Sequence, residues 1–444
     1  MPEPNANPPL TEQVDLAVIG GGPSGSTLAA LVAEQGHRVL LLEKDEHPRF
    51  HIGESLLPHN LPIFRRLGLI EALESIGVRK PGVDFTTDDE DEFTHEIRFS
   101  DAFDPVEGCD HAYQVLRSDF DRMMFEHAGR SGAHVVMNTR VRSVDFDDDE
   151  WVELAVENED AARTIRARFV VDASGRDSFL ARRFNLQERN RDHATAALYG
   201  HFRNVPRRAG ESAGNISIYW FDQGWIWMIP LPDGVMSVGA VCNPDYLRQR
   251  GRDVEGFFEA TVQRNPHAWQ RLSEGELISE ITATGNYSYF SRRLDGERWL
   301  MVGDAGIFID PVFSSGVYFG MHSAELGAEV VLAELAGDRI RARRARKRFR
   351  RRIRRGVNEL AWLIYRFPTP AMRRLFLSSQ TVFNIKAAVI SALAGDLYDN
   401  WRVRWRLRAF RLVFYVASLV DLPATLRSRR QRLKNARVVF DRGH

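Results

Sequence analysis

Gly20, Gly22 and Gly25 stand at G-x-G-x-x-G spacing, behind the apolar run Leu16–Ile19 and ahead of the helical stretch Ser24–Val32. The run is too short for a helix and suits a strand buried on both faces. At such a strand-to-helix turn the first glycine permits the tight bend and the second lets a pyrophosphate approach the backbone. The third lets the helix pack closely on the strand. The N–H groups of the helix that Ser24 opens would then face phosphates. RVLLLE closes on Glu43, where an acid accepts from a ribose hydroxyl. Strand, turn, helix, second strand and terminal acid together predict a dinucleotide site. A glycine turn in an ordinary α/β core would not require the acid.

Other residues are candidates for chemistry by type and place. Only five of the 60 basic residues are lysine, and one of them, Lys80, sits in VRKPG. A neutral amine can attack an electrophile or donate a hydrogen bond, which an always-protonated guanidinium does poorly. Trp225 and Trp227 alternate along Trp225-Ile-Trp227-Met-Ile229-Pro230, so a strand would place both indoles on one face. Same-face core packing accounts for that pair equally well. Asp304 ends the apolar run Trp299–Gly303, in position to hold ribityl or ribose hydroxyls. Beyond Pro311, the amides of Ser315 and Gly316 open a helix whose dipole favours negative charge. Arg49 and Gly53 lie in a polar loop, KDEHPRFHIGESLLPHN, expected to cross the cofactor, and Arg117 lies in the later segment Tyr113–Asp121 that leads into a helix. The two arginines serve equally as ion-pair partners, and His51 and His59 read as surface residues. Cys109 and Cys242 provide neither a disulfide framework nor a metal-ligand cluster.

The elements that position these residues follow from periodicity. Leu61–Ile76 is amphipathic and reads as one helix, and Phe85–Phe103 as edge strands of a second sheet. Ser118 is the expected cap of the next helix. HVVMNTRVRSVDFD reads as one strand paired with WVELAVE, and ARFVVDASG as a strand beside the first. LYGHF, ISIYWF, GWIWMIPL and MSVGAV form a sheet suited to the floor of a substrate chamber, and beyond Asp338 the chain is helical. The fold class is α/β, as an α+β composite. A Rossmann-type nucleotide-binding domain over 12–330 is interleaved with a substrate sheet (about 85–112 and 195–285), and an arginine-rich helical region covers 331–444. At 444 residues with 44% hydrophobic content, the chain can bury a large core. MPEPNANPPLTEQ lacks the basic and apolar regions of a signal peptide, and no uncharged apolar run reaches about 18 residues. A cytoplasmic protein without a transmembrane segment is expected. RIRARRARKRFRRRIRRG and the later NWRVRWRLRAFRLVFYVASLV invite nucleic acid or, for the later helix, a membrane surface. A solvated face paired with the acidic Asp84–Asp110 stretch is the favoured account, and no nucleic acid is expected.

The glycine turn, VVDASGR and GDAGIFIDPVFSSGVYFG together resemble the FAD-dependent aromatic hydroxylase fold, which monooxygenases share with flavin-dependent halogenases. Trp225-Ile-Trp227-Met-Ile229-Pro230 is similar to the W-x-W-x-I-P signature of the halogenases, and Lys80 stands where that family carries its lysine. IGESLLP, DPVFSSGV, FPTPAMRRLFL and SALAGD extend the resemblance over roughly residues 14–400, to the phenol- and pyrrole-type branch. Two departures stand out: Gly77 replaces a phenylalanine three places before the lysine, and Phe313 stands where the tryptophan branch has a glutamate. The resemblance implies FAD as cofactor, reduced by a separate flavin reductase, with O₂ and chloride or bromide as co-substrates. It also implies a small aromatic substrate, free or tethered to an acyl or peptidyl carrier protein. Halide would rest near Ser315 and Gly316 and become hypohalous acid. Trp225, Trp227 and Pro230 would wall the substrate from the flavin, and Lys80 would receive the oxidant. An aromatic monooxygenase on the same fold and a non-catalytic flavin carrier recruited through its basic helix are the alternatives.

Overall fold

A computed structural model describes residues 13–88, 94–103, 107–159, 161–190, 192–285, 288–310, 312–377, 385–398, 400–420 and 422–437. The N-terminal leader and Pro311 lie outside the described residues.

The apolar runs AVI, LLL and VVD form the centre of one sheet. In it Trp299–Met301, Ala162–Asp172, Gln13–Ile19, Val39–Leu42 and His134–Val136 lie side by side and parallel. Register places Ile19 opposite both Leu42 and Asp172, and Asp172 opposite Met301. Four strands therefore end together, and the residues that follow them crowd one edge: Gly20, Glu43, Ala173 and Asp304. In parallel α/β sheets that edge is where ligands bind. Pro23–Ala33 and Gly316–Leu335 cover the sheet, and the Ser323 hydroxyl takes the Gly303 N–H at 2.8 Å, tying the long helix to the strand end.

The second sheet runs Glu276–Leu277, Ala196–Arg203, Met236–Cys242, Gly224–Pro230, Ile216–Phe221, Gly82–Thr86 and Thr94–Arg98. Of the 85–103 stretch, Thr94–Arg98 is the edge strand, as its polar alternation requires. Period-two patterning splits the sheet's faces. Leu198, Ile226, Met228 and Val238 pack beneath the Val254–Val262 and Pro266–Leu272 helices, whereas Tyr199, Trp225, Trp227 and Ile229 face the nucleotide side.

Local expectations fail where a single residue turns the chain. Leu61–Ile76 is two helices, Leu61–Arg66 and Ile70–Ile76, because Gly68 adopts φ +68° between them. HVVMNTRVRSVDFD is two strands, since Asn138 at φ +53° sends His134–Val136 to the parallel sheet and Arg140–Asp145 to a hairpin with Val152–Glu157. Ser118 does not cap its helix. Arg117–Arg130 starts one residue earlier, with Leu116 at the cap position.

Arg339–Ile364 is helical and buries Ala342, Ala345, Phe349, Ile353 and Leu360 at helical spacing. Of its arginines, Arg346 and Arg348 pair with acids outside the Asp84–Asp110 stretch, whereas Arg373, further along the basic region, meets Asp88 at 3.5 Å. Arg346 bonds Glu334 at 2.6 Å and Asp295 at 3.0 Å, and Arg348 meets Glu329 at 2.9 Å. These acids lie on or beside elements already packed against the helix, so they outcompete a distant acidic loop. Among the described residues no single helix is long and apolar enough to cross a membrane.

Candidate active site

A cavity of about 450 Å³ runs from the parallel strand ends to the Trp225–Trp227 face of the second sheet. Gly20, Gly22, Ser24 and Glu43 line one end, with Gly20 at φ +104°, a backbone conformation that suits glycine. A Cβ at Gly22 or Gly316 would meet no protein atom within 4 Å, so both positions stay open for something other than packing. Gly25 is behind the wall, where a Cβ would overlap the Gly20 carbonyl oxygen.

The Glu43 carboxylate accepts from the Gly21 N–H at 2.8 Å and the Asp45 N–H at 3.0 Å, with Arg49 at 3.4 Å. It is buried, held rigid, and still borders the cavity. Arg117 is buried too. It grips Asp121 through two bonds of 2.8 and 2.9 Å and donates to the Ile52 carbonyl at 2.6 Å, pinning the crossing loop. Gly53 lies against that guanidinium at φ +103°, and a Cβ there would come within 2.9 Å of it. His51 and His59 are half-buried rather than exposed. His51 borders the cavity, and burial pushes both imidazoles down to about 4, so both are neutral.

Asp304 follows the Trp299–Met301 strand and borders the cavity. Loss of water lifts its carboxyl to about 6 against the opposing pull of Arg176 and Arg117. Ser315 and Gly316 line the cavity where the 20-residue helix begins. The turn before them is braced by buried Asp310, which accepts from Thr195 at 2.6 Å, the Val312 N–H at 3.0 Å and His193 at 2.8 Å.

Trp225 and Trp227 line the opposite wall with ring centroids 5.9 Å apart. Trp227 donates to Ser237 at 3.2 Å and lies flat over Gly239, which has no side chain to displace it. Trp225 meets Phe367 edge-on at 6.4 Å, so FPTP buttresses the wall. Pro230 is buried at the end of the strand and does not border the cavity.

Lys80 is fully buried at the end of the short strand Gly77–Lys80. Its Nζ donates to the Ser55 hydroxyl at 2.8 Å and the Leu56 carbonyl at 3.0 Å, and lies 5.3 Å from the Phe99 ring centre. Burial alone drops the amine to about 7. Lys80 does not touch the cavity; Ser55 lies between, bordering it. Glu54, beside Ser55, also lines the cavity and pairs with His201 at 2.7 Å. Ser55, Glu54 and Asp310 were inside stretches singled out in the sequence, but only their burial and partners mark them individually. Among the described residues no cluster of three or more His, Cys, Asp or Glu could hold a metal.

Residues 13–345 match the FAD binding domain family model. A flavoprotein/dehydrogenase from Cytophaga hutchinsonii superposes with a TM-score of 0.84 at 28% identity, over 92% of this chain and all of that one. The myxobacterial chondrochloren halogenase CndH, an FAD-dependent halogenase, is 31% identical over 97% of this chain and 99% of its own, with a TM-score of 0.74. This chain belongs to the flavin-dependent halogenase family. A curated member, the 1H-pyrrole-2-carbonyl-[peptidyl-carrier protein] chlorinase of Pseudomonas fluorescens, is 28% identical over 88% of this chain and 90% of that protein. The enzyme is therefore an oxidoreductase with FAD as its cofactor. Its own geometry fits that group. The side-chain-free positions Gly22 and Gly316, the strand-end carboxylates and the aromatic far wall all border one continuous cavity.

Proposed function

We propose that the enzyme places chlorine or bromine on an electron-rich aromatic ring of phenol or pyrrole type, by way of hypohalous acid passed to Lys80. The observation that carries this reading is the state of Lys80: a buried amine near neutrality, one serine hydroxyl away from the cofactor cavity. Bound FAD in its reduced form supplies the electrons with which O₂ turns halide into hypohalous acid. No second G-x-G-x-x-G follows a strand to hold a nicotinamide, so a separate reductase supplies reduced flavin.

The protein's part is to hold, wall off and relay. Gly20, Gly22 and Ser24 cradle the pyrophosphate, with Gly25 keeping the helix close enough to present its N–H groups. Glu43, Arg49, Gly53, Arg117 and Asp304 hold the remaining polar groups. Amides at Ser315 and Gly316, following Pro311, rest the halide at a helix start. Trp225 and Trp227, carried into place by the strand that Pro230 ends, keep the ring from meeting the flavin and so block direct oxygen transfer. Ser55 hands the oxidant from the cavity to Lys80, which binds it by hydrogen bond or forms a haloamine with loss of water. The carrier-protein chlorinase among the relatives supports a tethered pyrrole as one substrate form.

Asp304→Asn is expected to weaken FAD binding by about 1–3 kcal/mol, roughly 5- to 150-fold in Kd. With its folded pKa raised to about 6, Asp304 is a full carboxylate only above that value. Wild-type affinity therefore falls as pH drops through about 6, and the Asn variant loses that slope. Flavin-fluorescence titration from pH 5 to 8 measures both.

The reading is tested by product mass spectrometry, with a flavin reductase, NADH, FAD, O₂ and either halide. Phenols and pyrroles are offered free and carrier-tethered. A product with hydrogen replaced by halogen supports it. A halide-independent gain of one oxygen would establish a hydroxylase and reduce the tryptophan wall to packing.

A further inference from the structure

The Trp401–Val420 helix is apolar on two opposite faces. Val403, Leu407, Phe410 and Phe414 are buried against the body of the protein. Across the helix Trp401, Trp405, Leu412, Val416 and Leu419 form a second stripe, each 55–68% exposed. The next helix, Leu422–Arg437, leaves at 108°, and exposed Leu422 and Leu426 carry the apolar surface round the bend. Ten of the thirteen large apolar side chains exposed among the described residues lie between 401 and 426. An apolar patch this concentrated marks an interaction surface.

Its charge selects the partner. From Trp401 to Arg437 the sequence holds ten arginines and one lysine against a single acid, Asp421. Arg402 and Arg408 are exposed beside the two tryptophans at one end of the stripe, and Arg427, Arg429 and Arg430 are exposed beyond the bend. A second copy of the chain would bring two cationic collars together, which like charge opposes. An acidic protein would meet the arginines and leave the apolar stripe between them uncovered. An anionic lipid surface satisfies both, with the exposed leucines and valine at the edge of the acyl region, the tryptophans at the interface and the arginines on the phosphates.

We propose that the exposed apolar faces of these two helices dock the enzyme on the surface of an anionic bilayer, lying in the interface rather than crossing it. Neither helix alone is long and apolar enough to span. This surface is separate from the halogenation site and does not depend on which ring is the substrate.

The test uses full-length protein with vesicles of phosphatidylcholine alone, or with about one quarter phosphatidylglycerol. Flotation with the anionic vesicles is expected, weaker at high salt and with neutral vesicles, together with blue-shifted tryptophan emission. Val416→Glu with Leu419→Glu should lower partitioning more than about tenfold. Both side chains are exposed, so melting temperature and FAD content should be unchanged. No flotation with either vesicle, or flotation unaffected by the double variant, overturns the proposal. So does a dimer, or a complex with an acidic carrier protein, that the double variant disperses while vesicles bind neither form.

Discussion

Lys80→Met is expected to eliminate halogenated product while leaving the folded protein more stable at pH 7. The amine titrates near 7 in the fold against 10.5 when exposed. Between those values the unfolded chain holds the proton and the folded one releases it, so stability rises with pH across that window. At pH 7 nearly the whole penalty remains, up to about 4 kcal/mol. Methionine fills the same space without that charge. It leaves Ser55 and Leu56 without their donor, at about 1 kcal/mol each. A net gain of about 1–3 kcal/mol follows, read as a higher Tm at pH 7 that disappears by about pH 10. Product should fall by about 10²–10⁴, with FAD affinity and reduced-flavin oxidation intact. Lys80→Arg should also be inactive but destabilised, because a guanidinium cannot shed its proton in that site. The wild-type pH profile separates the two roles open to the amine. A haloamine route needs the neutral form and rises through about pH 7, whereas hydrogen-bond donation by the ammonium falls there. Halogenation retained by Lys80→Met would remove the lysine from the mechanism.

A stabilising substitution at a residue so scarce in this sequence is the mark of a group kept for chemistry rather than for packing. Sequence alone could single out Lys80 by rarity and family position, yet not its burial. That depends on the strand Gly77–Lys80 pairing with Ala112–Val115 and on the crossing loop closing over it. The nucleotide half was legible because each of its steps is local: an apolar strand, a glycine turn, a helix, an acid. The second sheet was legible as strands, since period-two patterning needs no partner to be read. What escaped was anything set by one turn residue, such as Gly68 and Asn138, whose positive φ redirects otherwise continuous patterns. Also hidden were pairings between distant segments, such as Glu54 with His201 and Asp310 with His193 and Thr195. The arginine helix shows the same limit. Its basic face was plain, but its counter-charges on Glu329, Glu334 and Asp295 are chosen by packing, which no charge count reveals.

Gly25→Ala and Gly22→Ala are expected to fail in opposite ways, although both alter one motif. At Gly25 the new methyl would overlap the Gly20 carbonyl oxygen and press on the Ala173 side chain at 3.2 Å. Gly20 is fixed by its φ of +104° and by its N–H bond to the Leu42 carbonyl at 2.7 Å, so the backbone has nowhere to move. Overpacking against main chain costs about 3 kcal/mol or more, and the Pro23–Ala33 helix must lift from the sheet. Gly25→Ala should therefore unfold at markedly lower temperature and purify without flavin. At Gly22 the methyl meets no protein atom, and φ is −74°, open to any residue. Stability should change by less than about 0.5 kcal/mol in either direction. The methyl would instead crowd the pyrophosphate, so FAD affinity should drop at least about tenfold in a protein of normal Tm. Melting curves of the apoproteins, set beside FAD titrations, decide the matter. Equal losses of stability in the two variants would show that the second glycine serves the fold rather than the cofactor. A Gly22→Ala protein that binds FAD as tightly as wild type would place the pyrophosphate elsewhere along the cavity.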